Sequence, residues 1–221
     1  MCSHYQAIKD RERFQKQFHV ELPPYRGVYD YDIWPGYHAP FIRQPREAGA
    51  GDDAVPGREA LAGVFGLIPH WANDGKFARR TFNARSETAA TLPSFRDAWR
   101  KGHKCIIPAD AAFGPDWRSG KAIATRIRRR DGRPIGLAGL WSEWKSPAGE
   151  WVASFTMLTI NAADHLLMCN FHKPGDQKRM VVVLNDDARE AWLMAPPEQS
   201  MAFMRECPPE QLVAATDDVP I

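Results

Sequence analysis

The 221 residues are 44% hydrophobic and 25% charged, the proportions of a soluble globular chain long enough for a full core. No apolar run nears the roughly 18 residues of a membrane span, and MCSHYQAIKDRERF turns charged before a signal-peptide core can form, so a cytoplasmic monomer is expected. The net charge of +2 excludes little, but residues 76–133 carry 15 Lys and Arg against 5 Asp and Glu, between neutral and acidic flanks. Such a block reads either as a polyanion-binding face or as a solvated surface.

In chain order, the prolines from Pro23 to Pro45 mark an irregular extended stretch, and AGAGDDAVPG over 48–57 reads as a flexible loop. Strands are expected at GVFGLIP (63–69), CIIPA (105–109), IATRIRR (123–129), IGLAGLW (135–141), VASFTMLTI (152–160) and MVVVL (180–184). Alternation in the third of these puts Ile123, Thr125 and Ile127 on one face and Arg126, Arg128 and Arg130 on the other, a face for phosphates or for water. Three helices are expected. SFRDAWRKG would be capped by Ser94, with His103 at its C-terminal end, where the dipole favours a cation; NDDAREAWLM would be capped by Asn185; PEQSMAFMRE follows. Strands outnumber helices and no linker interrupts them. The expected class is α+β: one domain over 1–221 with a strongly curved, mainly antiparallel, barrel-like sheet and flanking helices.

Cys105, Cys169 and Cys207 read as core or surface fillers, and the spacing of the four cysteines matches no zinc site or disulfide framework; no metal or cofactor is expected. Cys2 is different. A cysteine directly behind the initiator methionine would, after removal of Met1, offer an α-amine and a thiol on one residue.

GLIPHW (66–71), FNARSETAA (82–90), CIIPADAAFGPDW (105–117) and FHKPGDQKRMVVVL (171–184), together with the Met-Cys start, make the chain resemble the SOS-response-associated peptidase (SRAP) family of abasic-site processing proteins. The resemblance spans nearly the whole chain in the right order, and NAR-x-ET is its most specific element. It implies a β-rich fold around a basic channel for single-stranded DNA, and covalent capture of abasic sites by Cys2. An abasic sugar in its open form is an aldehyde. An α-amine with a pKa near 7.7–8.0 can form a Schiff base with it, and the thiol of the same residue can close a thiazolidine ring. Stopped at the imine, the adduct could expel the 3′ phosphate, which is lyase chemistry.

By the same resemblance, Asn83 holds the reacting cysteine or sugar, a turn-stabilising amide being its competing reading. Arg85 grips phosphate or pairs with Glu87. His172 shuttles protons near neutral pH. Pro40, Trp71 and Thr159 line the channel, Trp71 either stacking on a base or packing in the core, and Arg179 contacts phosphate. His70 is a weaker channel candidate. The family's usual glutamate falls on Gly114, leaving Asp110 or Asp116 as substitutes, so crosslinking is expected to be slower and lyase activity more impaired. His4 replaces a usual arginine, and Val181 a usual proline. Two other classes stay open: an N-terminal-cysteine amidohydrolase acting on small amides, and a non-covalent single-strand binder.

Overall fold

The computed structural model describes residues 4–24, 30–46 and 57–216, so Cys2 and nearly all of the loop expected at 48–57 lie outside the described residues. In chain order the elements are β1 (Tyr5–Gln6), α1 (Arg11–Phe18), β2 (Asp32–Ile33), β3 (His38–Arg43), β4 (Glu59–Phe65), a 3-10 turn (Gly75–Arg80), β5 (Asn83–Arg85), α2 (Ser86–Ala89), α3 (Arg96–Arg100), β6 (Lys104–Ala109), β7 (Ala111–Asp116), β8 (Ile123–Arg129), β9 (Ile135–Lys145), β10 (Trp151–Asn161), a 3-10 turn (Met168–Asn170), β11 (Arg179–Val181), β12 (Val183–Leu184), α4 (Ala188–Met194), two further 3-10 turns and β13 (Leu212–Ala215).

Five strands close on themselves. β3 pairs antiparallel with β4 and β6, β6 with β9, and β9 with β10; β10 then runs parallel to β4 and completes the ring. Alternate side chains fill the interior: Ala39 and Phe41, Cys105 and Ile107, Leu137 and Trp141, Phe155 and Met157 belong to one buried cluster. Gly139 lies in this inward row because a Cβ there would stand 2.6 Å from the Thr156 carbonyl oxygen and 2.9 Å from the Cys105 sulfur. The outward row, with Ile42, Ile106, Leu140 and Leu158, packs in a second cluster with Phe14 and Phe18 of α1, Trp99 of α3 and Trp192 of α4. The barrel wall is therefore apolar on both faces, and truncating one of its buried aromatics would cost about 3–5 kcal/mol. A second sheet, in the order β13-β8-β7-β1-β2, carries the N-terminal strand.

The α+β barrel expectation is met, with differences in detail. α1, unmarked in the sequence reading, is capped by the Asp10 side chain, which accepts the Arg13 N–H. α3 and α4 begin later than Ser94 and Asn185 and have no side-chain cap; Phe95 and Asp187 stand at their N-caps. The segment over Pro197–Phe203 is a 3-10 helix, and MVVVL is two strands. Val182 accounts for the break: its N–H donates to Leu158 on β10 while its carbonyl accepts from Ala138 on β9, so the chain changes partners there.

On β8, Thr125 and Ile127 are buried as expected, but Ile123, expected on the same face, is 42% exposed at the start of the strand. Arg130, just past its end, is committed to the carbonyls of Glu210 and Leu212. His103 differs from expectation. It stacks on Trp141 with 4.3 Å between centroids, and burial first, then Lys101, Arg46 and Arg43, hold it down to about 4. Desolvation and neighbouring cations outweigh the helix dipole.

Candidate active site

The site is organised on the C-terminal half of β10. β4 stops pairing with β10 at Phe155, and β5 takes its place after the excursion through residues 66–82: Met157, Leu158 and Thr159 lie opposite Asn83, Ala84 and Arg85. On the other edge β11 sets Val181 opposite Thr159 and Arg179 opposite Asn161. One strand thus draws together Asn83, Arg85, Thr159 and Arg179 from three separate stretches of chain.

Arg179 is 2% exposed. Its guanidinium grips Glu87 through two bonds, of 2.7 and 2.8 Å, and donates to the Thr159 carbonyl at 2.6 Å and the Thr159 hydroxyl at 3.2 Å. This corrects two expectations. Glu87, the residue expected to pair with Arg85, pairs instead with Arg179, and the hydrogen bond from Arg179 holds its carboxyl below the usual range. Arg179 is consumed by that pair and has no accessible surface for phosphate. Arg85 is exposed. Thr159 is buried and donates to the Ala84 carbonyl, pinning β5 to β10 rather than lining a channel. Pro40 is likewise buried, within β3 opposite Ala62.

His172 follows a tight turn built by a histidine that the sequence reading passed over. His165 is buried; its Nδ1 accepts the N–H groups of Leu167 and Met168, so its proton is on Nε2, which donates to the Cys207 carbonyl at 2.8 Å. This caps the 3-10 turn that delivers Phe171 and His172. His172 is 6% exposed, and its Nε2 accepts the Arg179 backbone N–H at 3.1 Å. The neutral ring therefore carries its proton on Nδ1. Burial pushes the group down to about 4, with the nearby Lys178 adding to the effect. A proton shuttle poised near neutrality is not what this geometry provides; it provides a neutral Nδ1–H donor with the other nitrogen already occupied.

The second sheet brings the N-terminus to the same place. His4 is sandwiched between Trp34 and Phe113, with centroids 4.0 and 4.1 Å away and planes within 13° of parallel, and its carbonyl accepts the Phe113 N–H. A cavity of about 20 Å³, enough for one water, joins the two halves; Phe113, Gly114, Phe171, His172 and Arg179 are among the residues lining it. At Gly114 an added Cβ would stand 2.9 Å from the Cβ of Phe171. Neither proposed substitute for a carboxyl at this point is suitably placed. Asp110 lies about 13 Å away along the strand, paired with Arg13; burial raises its carboxyl, against Arg13. Asp116 is gripped by Arg118 through both oxygens, which holds it ionised.

Trp71 is 44% exposed and meets Phe77 edge-to-face. His70, also exposed, sits 3.3 Å from Asp97. Among the described residues there is no cluster of metal-ligating side chains, and no helix is long and apolar enough to cross a membrane.

The sequence profile of the SOS response associated peptidase (SRAP) family matches residues 1–217. The chain belongs to the SRAP family. A crystal structure of a Bordetella bronchiseptica protein superposes with a TM-score of 0.87 at 47% identity, covering 99% of this chain and 100% of that one. A Bacteroides thetaiotaomicron protein shares the fold at a TM-score of 0.76 and 20% identity, covering 97% of this chain and 91% of that one. Among curated SRAP relatives, the abasic site processing protein YoqW of Bacillus subtilis is 34% identical over 132 residues, 58% of this chain and 54% of that protein. The abasic site processing protein HMCES of Gallus gallus is 24% identical over 166 residues, 64% of this chain and 48% of that protein. The chain spans about half the length of the curated SRAP relatives it matches.

Proposed function

We propose that this protein processes abasic sites in single-stranded DNA by covalent capture through Cys2. What supports the reading is a cavity lined by Gly114, His172 and Arg179 next to Phe113, the ring on which His4, two residues in sequence from Cys2, is stacked. Two peptide units tie Cys2 to within about 7 Å of the His4 Cα, and His4 is held between Trp34 and Phe113, the latter lining the cavity with His172 and Gly114.

Removal of Met1, by the protein itself or otherwise, would free the amine. The amine adds to the open-chain aldehyde and water leaves, giving an imine; the thiol sulfur then adds to the imine carbon, its proton passing to nitrogen, and a thiazolidine results. Asn83 orients the sugar or the cysteine from β5. Through Nδ1–H, His172 donates a hydrogen bond to the oxygen that takes up charge as the sugar opens or as water departs. Arg85 and Trp71 hold the DNA on either side. Arg179 acts as a positioning residue, its backbone N–H orienting His172 and its side chain joining Glu87 to Thr159.

Gly114 leaves the cavity without a carboxylic acid, and a positioned acid contributes about 10²–10⁴-fold. Crosslinking should therefore be slow, and β-elimination from the imine, which needs a base at C2′, slower still. The same gap favours, as a second reading, a binder that holds single strands without bonding to them. The deciding experiment incubates the purified protein with an oligonucleotide carrying one abasic site, followed by denaturing gels and intact mass. A heat-stable adduct of protein lacking Met1, absent with Cys2→Ala, is the expected result. Tight binding without adduct, with Cys2 confirmed as the first residue, would leave only the second reading.

A further inference from the structure

The outer side of the His4 stack has no function assigned so far. Trp34 covers one face of His4, is 44% exposed, and has no other described ring or cation against it. Its position is rigid. Trp34-Pro35-Gly36-Tyr37 is a β-turn in which the Tyr37 N–H donates to the Trp34 carbonyl, with Gly36 at φ +95°, the left-handed value that a type II turn places there. The turn is tied to the barrel rim by reciprocal bonds with Phe65: Gly36 N–H to the Phe65 carbonyl at 2.7 Å and Phe65 N–H to the Tyr37 carbonyl at 2.8 Å.

A cation lies across the same turn. A Cβ placed on Gly36 would stand 3.8 Å from both Cγ and Nε of Arg79, so that side chain runs beside the turn. Arg79 is exposed and makes no ion pair among the described residues, and Lys76 and Arg80 are exposed on the same 3-10 turn. Gly66 allows this approach: a Cβ there would fall 1.9 Å from the Ala78 carbonyl oxygen, so no other residue lets the cationic turn seat against the strand end. A rigid aromatic plane with one open face, beside an uncommitted guanidinium, is the combination that holds one nucleotide of a single strand: the base stacks and the phosphate is gripped.

We propose that Trp34 and Arg79 form a nucleotide subsite that takes the base and phosphate adjoining the abasic residue. This rests on the abasic-site reading above for what occupies the neighbouring cavity. Stacking strength, not base-edge hydrogen bonding, then sets the preference, so a purine neighbour favours capture over a pyrimidine, and a neighbour without a base is the poorest.

The test uses the full chain and oligonucleotides carrying one abasic site flanked by adenine, by thymine or by a second abasic residue. Crosslinking is followed at limiting protein, and anisotropy gives the affinity for an unmodified single strand. Trp34→Ala should weaken binding of the unmodified strand roughly 5- to 20-fold, within the range of base–aromatic stacking, and should erase the difference between adenine and thymine neighbours. Trp34→Phe should keep most of both. Arg79→Gln should weaken all strands alike and reduce the slope of log affinity against log salt by about 0.7. Unchanged affinity and unchanged neighbour preference in Trp34→Ala would overturn the subsite while leaving covalent capture intact. Wild-type protein that binds with Trp34 dependence but never crosslinks would support the subsite and refute the covalent reading. Failure to bind single strands at all would refute both.

Discussion

The neutral state of His172 can be tested without knowing the substrate. Burial holds the imidazole at about 4, against 6.5 when free. Between those values the unfolded chain binds a proton that the folded chain does not, so folding stability rises with pH across the window. The stability is complete above about pH 6.5, declines on acidification, and is lost once pH falls through 4. The gap corresponds to about 3 kcal/mol at pH 4. His103, also held near 4, adds a similar dependence, so wild type alone cannot isolate His172. The comparison is with His172→Gln, whose side-chain oxygen can still accept the Arg179 N–H. Urea melts of both proteins from pH 7.5 to pH 4 should show the stability difference shift by about 3 kcal/mol, wild type losing more. Long-range ¹H–¹⁵N spectra should show the proton on Nδ1. A pH-independent difference, or a proton on Nε2, would refute both the buried-neutral assignment and the donor role built on it.

Glu87→Gln should destabilise the protein by about 2 kcal/mol in urea at pH 7, because it weakens the bidentate pair of a buried arginine, discounted for the half-exposed carboxylate. Since Glu87 is depressed in the folded state, its contribution is present above the ordinary carboxylate range and fades as pH falls through it, so the variant should have the shallower acid limb. Gly114→Glu should cost roughly 1–3 kcal/mol through contact with Phe171; equal stability would show that strand and loop part freely. His165→Ala should lose about 2 kcal/mol and speed amide exchange at Leu167 and Met168, whose N–H groups it accepts; unchanged exchange there would remove His165 from the positioning role.

Long central strands were legible in the sequence because their apolar runs are uninterrupted: 123–129 has the expected bounds, and 135–141 and 152–160 are cores of longer strands. β3 and β7 were not, because Pro40 in the first and Gly114 and Pro115 in the second are residues that strands avoid. α1 was hidden by its charge: RERFQKQF shows only Phe14 and Phe18, one turn apart, as an apolar face. For the site, motifs contiguous in sequence located β5 and the His172 loop. Which arginine meets Glu87 depends on the strand order β5-β10-β11, which no local pattern encodes. Nor could Trp34 be singled out, since its partner His4 lies thirty residues earlier in the chain.

The loop between His172 and Arg179 is shut at its own base. The Arg179 N–H meets the His172 ring, and the Lys178 ammonium donates to the carbonyls of His172 and Lys173. The residues between them close on a clasp, and lengthening such a loop carries only a slow, logarithmic entropic penalty. The segment around Gly175 is therefore a natural insertion point: a peptide tag or fluorophore placed there would ride beside the cavity without moving the imidazole, reporting DNA arrival from within a few residues of the reacting centre.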